Sequence, residues 1–258
     1  MNVFDIIIDI SKSGYEDTDL EHALWTYLVF LNNTSQITND DYIFTKSGDT
    51  VSVRVVCPEP DSLFVESTTT YVKQARQKLE QLIGFPIRYE KVGIEPQAGD
   101  YRIPQNSSFY ILRYGWFSPL ICGDTFMPIP LYHIPATHHD GLCYDNLRDW
   151  ERNYKHLYGL WLSGLVGEQF ALKQMQHCDS IISKVGRELC QRIEDLTGKP
   201  TYYFLFNYRG WSKAQDLARK CPITGQDWIL PGKTASDHIA FKCDESRLVS
   251  ELSANSGC

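Results

Sequence analysis

"VFDIIIDI" (residues 3–10) has the apolar density of a buried strand, although Asp5 and Asp9 are set into it. What surrounds that strand decides the fold. Thr18 opens "TDLE" (18–21), a capping-box pattern with Glu21 three residues on. Leu20, Ala23, Leu24, Tyr27, Leu28 and Leu31 then recur at helical spacing, which predicts a helix to about Asn33. "YIFTKSGDTVSVRVV" (42–56) reads as two short strands around the turn residues Ser47, Gly48 and Asp49. "TTTYVKQARQKLEQLIG" (68–84) places Tyr71, Ala75, Leu79 and Leu82 on one helical stripe and ends on Gly84, a good helix stop. "FPIRYEKV" (85–92) returns to β character. Strand, helix, strand, strand, helix, strand is the order of a ferredoxin-like βαββαβ unit, one sheet face under two helices.

The fold class is therefore α+β, with three expected segments. Residues 1–92 form the ferredoxin-like sandwich, 93–210 a strand plus a helical body, and 211–258 a zinc-ribbon-like C-terminal segment docked on the body. In the middle segment, "GIEPQAGDYRIPQN" (93–106) reads as linker and "SSFYILRYGWF" (107–117) as a strand. "PLICGDTFMPIPLYHIP" (119–135) carries so much proline that it is expected as extended surface chain. Helices are expected at about 145–158, 163–177 and 179–197, a strand at 201–208 and a short helix at 212–219.

The tail holds the one strong motif. "CPITGQDW" (221–228) begins like half of a zinc knuckle, but Thr224 stands where a second thiol belongs; in "FKCDESRLVS" (241–250) Cys243 is followed by Ser246 in the same way. Cysteine at 224 and 246 would complete C-x2-C-x18-C-x2-C, a structural zinc pattern. Two thiolates and two neutral hydroxyls make a poor set for a divalent ion. No metal and no cofactor are expected here, and Cys221 and Cys243 are read as vestigial. Trp228, Ile229, Leu230, Ile239, Phe241 and Leu248 are the expected small core that holds the tail without zinc.

On these stretches, with "CGDTFMPIPLYHIP" (122–135), "GLWLSGLVGEQFALKQM" (159–175) and "GRELCQRIEDLTGKPTYYFLF" (186–206), the chain resembles the family of domain of unknown function 2310 over nearly its whole length. The resemblance implies a zinc-ribbon tail and nucleic-acid binding. Thr224 and Ser246 depart from the family's ligand set, as does Thr125 in "CGDT", where a second cysteine would follow Cys122.

Composition bounds the function. The 258 residues carry net charge −7, and the first 100 hold 16 Asp/Glu against 8 Lys/Arg. Glu16, Asp17, Asp19, Glu21, Asp40 and Asp41 form the densest acidic stretch and are the expected contact set for a protein partner with a basic surface. A basic leader is absent and the longest greasy stretch is too short for a bilayer, so a cytoplasmic protein without membrane contact is expected, its eight cysteines reduced. His138, His139, Asp140, His133 and Cys143 could offer metal or acid–base chemistry, but are read as polar loop residues. Cys178 and Cys190 are read as core thiols. No phosphate loop, nucleophile elbow or H-E-x-x-H helix is present, and no catalytic residue is assigned. The expected function is non-enzymatic binding, of the kind by which an immunity protein covers the substrate site of a basic toxin such as a nuclease. The alternative is nucleic-acid binding through Tyr208, Arg209, Trp211, Lys213, Arg219 and Lys220, where cations alternate with rings.

Overall fold

A computed structural model describes residues 1–12, 16–39, 41–65, 69–98, 101–104, 106–208, 211–232 and 238–253. It divides into two compact units, residues 1–104 with 129–145, and residues 105–128 with 146–258.

The first unit keeps the predicted element order, but it runs past residue 92 to 104 and takes in 129–145, which the sequence reading places in the middle segment. Its elements run β1 (Asn2–Asp9), α1 (Asp17–Asn33), β2 (Phe44–Ser47), β3 (Thr50–Cys57), α2 (Thr70–Ile83) and β4 (Arg88–Ile94). The sheet order β2-β3-β1-β4, with every pair antiparallel, is the ferredoxin-like arrangement. Alternation along β1 sends Phe4, Ile6 and Ile8 into a core shared with Leu24, Leu28 and Leu31 of α1 and Leu79 and Ile83 of α2. Asp5, on the opposite face of the strand, pairs with Arg54 of β3 at 2.8 Å. The α1 cap differs from the expected box: the helix begins at Asp17 and Glu16 precedes it without a side-chain cap, so Asp17 and Asp19 face the dipole of the first turn directly. In α2 the buried stripe is Val72, Ala75, Leu79 and Ile83, one position later than expected at both ends. Thr69 caps that helix by accepting from Val72 N, and Gly84 ends it at φ +78°, a backbone region that favours glycine.

The second unit corrects two expectations. Its sheet has the order β6-β5-β7-β9-β8, from β5 (Tyr110–Leu112), β6 (Leu120–Cys122), β7 (Thr201–Phe204), β8 (Phe241–Cys243) and β9 (Leu248–Ser250). The tail is therefore not a segment apart: β9 pairs in parallel with β7, and β7 with β5. Nor is 119–135 surface chain, because β6 is buried throughout, and Ile129, Leu131, Tyr132 and Ile134, which belong to the first unit, are buried as well. Their prolines lie outside the three paired residues of β6, so the ladder loses no donor. Helices α3 (Asp145–Ser163), α4 (Glu168–Gln176) and α5 (Ile181–Thr197) follow the predicted order, with α3 ending five residues later and α4 starting five residues later than the pattern predicts, and α6 (Lys213–Leu217) is a short turn of helix. Helix α5 lies close on β7. A Cβ at Gly186 would come within 2.3 Å of the Tyr203 ring, so glycine sets that approach.

Candidate functional site

Two stretches of the second unit have the same backbone design. In each, a cysteine opens a C-x2-T turn: Cys122 to Thr125, and Cys221 to Thr224. The residue after the threonine takes a positive φ and donates its N–H back to the cysteine carbonyl, Phe126 to Cys122 at 2.8 Å and Gly225 to Cys221 at 2.9 Å. The cysteine N–H is bound five residues on, by the Met127 and Gln226 carbonyls. A turn of this kind aims successive N–H groups and the threonine hydroxyl at one sulfur, a concavity that favours negative charge.

The electrostatics follow. Burial pushes the Cys221 thiol up, but the Ser246 and Thr224 hydroxyls and the N–H groups of Thr224 and Ile223 outweigh it and bring it down to about 7. Cys122 is lowered by the same balance: burial opposes, while the Ser107 and Thr125 side chains and the N–H groups of Thr125 and Asp124 prevail. Cys57 and Cys190, in apolar surroundings, are pushed up by burial instead, Cys57 to about 12. All seven cysteines among the described residues are unbridged and buried, including Cys178 and Cys190 as expected.

The four tail positions singled out by spacing converge. Cys221 Sγ lies 3.2 Å from Ser246 Oγ, and Thr224 Oγ1 lies 3.7 Å from Cys243 Sγ. Around them Trp228, Phe241 and Leu248 are buried, whereas Ile229 is exposed and Leu230 and Ile239 only half-buried.

Arg219 is the largest departure from the sequence reading. It was expected among phosphate contacts, yet its side chain is 8% exposed and joined to the fold on every side. Its guanidinium lies over the Phe241 ring at 4.2 Å and the Trp228 ring at 4.9 Å, and donates to Ser250 Oγ and the Glu251 carbonyl. Beneath it the fully buried Asp216 carboxylate accepts from Asn207 Nδ2 at 3.1 Å and from Ser253 N at 2.7 Å. The remaining alternative set is dispersed. Lys220 pairs with exposed Asp227, and Tyr208 packs edge-on against Trp161. Trp211 precedes α6, Lys213 is its exposed first residue, and Arg209 lies outside the described residues. Trp211, Arg219 and Lys220 share a groove of about 600 Å³ with Leu205 and Pro222.

In the first unit, Glu16, Asp17, Asp19, Glu21 and Asp41 are all exposed; Asp40 lies outside the described residues. Asp17 and Glu21 border a groove of about 330 Å³ whose other walls are Leu20, Leu24, Phe44, Val51 and Lys46. Trp25, half-exposed beside it, meets Tyr42 and Phe44 edge-on at 5.4 and 5.7 Å. Sequence reasoning found the carboxylates by their density, but missed this apolar centre because its residues come from a helix and the hairpin that follows it, and no local pattern shows the two faces meeting. Among the described residues no helix is long and apolar enough to cross a membrane.

Residues 104–206 match the family described as Domain of unknown function (DUF2310), and residues 210–256 match Domain of unknown function (DUF8594). A protein of Haemophilus influenzae named "Uncharacterized protein" is 35% identical over 207 residues, 79% of this chain and 78% of its own. A second protein of that organism and name is 40% identical over 138 residues, 54% of this chain and 66% of its own. Among solved structures, a putative antibiotic biosynthesis monooxygenase from Chloroflexus aurantiacus covers 36% of this chain and 93% of its own at 14% identity, with a TM-score of 0.27.

Two outcomes follow from this geometry. Arg219→Ala leaves the buried Asp216 carboxylate without its cation and should cost about 3–5 kcal/mol in chemical denaturation. Lys213→Ala, on the exposed face of α6, should stay within about 0.5 kcal/mol; equal small losses would reject the structural role of Arg219. A thiol at about 7 when folded against 9.0 when unfolded binds fewer protons in the folded state between those values. Its stabilisation therefore grows as pH rises from about 7 toward 9.0 and is lost as pH falls through about 7. The stability of wild type relative to Cys221→Ala should climb across that window, and a flat difference would count against the turn's donors.

Proposed function

The chain belongs to the DUF2310 family, and from that premise we propose that it acts by contact, as a non-enzymatic binding protein for a partner with a basic surface. The observation that carries the reading is the first unit's acidic rim beside an apolar groove. Carboxylates at Glu16, Asp17, Asp19, Glu21 and Asp41 face solvent, and Leu20, Leu24 and Phe44 line the groove next to them. Exposed charge steers encounter and sets register, while an apolar centre with aromatic walls supplies the desolvated anchor site that holds a complex. In its specific form the proposal is immunity-type inhibition: the carboxylates occupy the cationic surface with which a toxin such as a nuclease would hold phosphate. The nucleic-acid alternative draws its support from Tyr208, Trp211, Lys213 and Lys220 alone once Arg219 is assigned to the interior.

We also infer that the tail is a zinc-ribbon fold maintained by packing in place of metal. The ligand spacing supports this, as do the 3.2 and 3.7 Å separations between each thiol and the hydroxyl across from it. Tetrahedral ligation at about 2.3 Å from zinc to sulfur sets neighbouring sulfurs roughly 3.8 Å apart, so the hydroxyls stand at ligand separations.

Affinity capture from the host's own lysate should recover a stoichiometric basic protein. Asp17→Lys with Glu21→Lys should slow its association by roughly tenfold or more, with the loss shrinking at high salt. Nucleic acid recovered without a protein partner would overturn inhibition and favour the 208–220 segment. For the tail, Thr224→Cys with Ser246→Cys should take up one more zinc per chain than wild type, measured by elemental analysis, and no gain would overturn the ribbon reading.

A further inference from the structure

The sequence reading sets "HHDGLC" (138–143) aside as polar loop, because neighbouring histidines point in different directions. The fold of the loop changes that conclusion. Its ends are clamped by a hydrogen bond from His138 N to the Cys143 carbonyl at 3.0 Å, and Gly141 N returns to the His138 carbonyl at 2.9 Å. Gly141 takes φ +70°, which lets the chain reverse within this short span. Leu142 N donates to Asp140 Oδ1 at 2.8 Å and so fixes the carboxylate. On either side Thr137 and Tyr144 are buried, and the Tyr144 hydroxyl is tied to the Ile134 carbonyl at 2.7 Å. These contacts hold the loop at both flanks.

Within this frame, one ligand atom each from His138, Asp140 and Cys143 lies within 4.8 Å of the other two. Three donors around one ion at about 2.0–2.3 Å stand roughly 3–4 Å from one another, so small side-chain rotations bring this set to ligating distance. A second observation points the same way. His138 Nδ1 is closed to solvent and lies 2.8 Å from Asp140 Oδ1, so two of the three donors already face one another. His139 does not join the set, but its ring lies against that of His138, the centroids 4.0 Å apart, and limits how far His138 can turn.

We propose that His138, Asp140 and Cys143 form a binding site for a borderline divalent metal ion of the zinc class. The donor chemistry selects the class. A thiolate excludes the hard, oxygen-seeking cations, while imidazole and carboxylate beside it suit zinc and its neighbours in the first transition row. Three protein ligands leave a fourth position open, as in sites where the ion holds water or an incoming oxygen rather than serving only as a clasp. The site lies in the first unit and shares no residue with the tail, so it stands or falls independently of the ribbon reading.

The test uses the full chain, stripped with a chelator and titrated with cobalt(II), whose bond to thiolate gives a charge-transfer absorption. One equivalent should bind with that absorption. Cys221→Ser combined with Cys243→Ser should retain it, and Cys143→Ser should abolish it. His138→Gln and Asp140→Asn, each changing a more exposed ligand, should weaken cobalt binding by at least the roughly 10–100-fold that loss of an outer-shell partner costs. These two carry the test if Cys143→Ser fails to fold. Absence of the band, its persistence in Cys143→Ser, its loss in the tail variant, or undiminished affinity in both exposed variants would overturn the proposal.

Discussion

A carboxylate with no solvent is the constraint around which the second unit is arranged. Asp216 is fully buried at the end of a five-residue helix too short to be stable alone. Such a charge is tolerable only if it is paired and hydrogen-bonded, because an isolated buried ion costs several kcal/mol. Asn207 reaches it from the chain after β7, Ser253 N from the chain after β9, and Arg219 from just beyond α6. The chain after β9, 37 residues beyond Asp216, must therefore meet the local stretch from Asn207 to Arg219 for the carboxylate to be satisfied. Arg219 then extends the same node into the tail, because its planar cation can lie on Trp228 and Phe241 while still donating to Ser250 and Glu251. Trp228 Nε1 closes the circuit on the Arg219 carbonyl at 2.9 Å. This network, with the β7–β9 pairing, gives the tail an anchorage that a metal supplies in domains of its size.

The acidic stretch has a double reading that the geometry helps to separate. Asp17 and Asp19 lie in the first turn of α1, where negative charge is stabilised by the unsatisfied N–H groups, so some of their value is local. Glu21 is farther along and Asp41 is on a different segment, and neither gains from that dipole. Asp17 and Glu21 alone border the apolar groove lined by Leu20, Leu24 and Phe44, and the proposed contact role rests on these two.

The two units differ in how much of them can be read without coordinates, and the difference is physical. In the first, each element is long enough to show its period: eight residues of alternation in β1, and seventeen of helical repeat in α1. In the second, β5, β6, β8 and β9 have three residues each and are almost wholly buried, so neither alternation nor length marks them. The parallel pairing of β7 with β9 joins residues more than forty apart, a register that no local pattern encodes. The site residues divide in the same way. Cys221, Thr224, Cys243 and Ser246 were found together because ribbon spacing is itself a local signal. Arg219 was misplaced because an arginine among lysines and rings looks the same in sequence whether its guanidinium meets phosphate or indole. The convergence of His138, Asp140 and Cys143 depends on a backbone reversal at Gly141, and only the closing hydrogen bond between His138 and Cys143 reveals it.

The tail and the loop at 138–143 are opposite solutions to one electrostatic problem. A thiolate needs positive potential nearby, from a metal, a cation or directed N–H dipoles. In the tail the Ser246 and Thr224 hydroxyls and the N–H groups of Thr224 and Ile223 outweigh burial and bring Cys221 down to about 7. At Cys143 burial is the largest influence and raises the thiol to about 11; a hydrogen bond from the backbone of Asp145 lowers it, but the side chain of Asp145 and the charge of Asp140 both raise it. The two cysteines thus differ by their surroundings: directed donors lower Cys221, while burial and the negative charge of Asp145 and Asp140 raise Cys143.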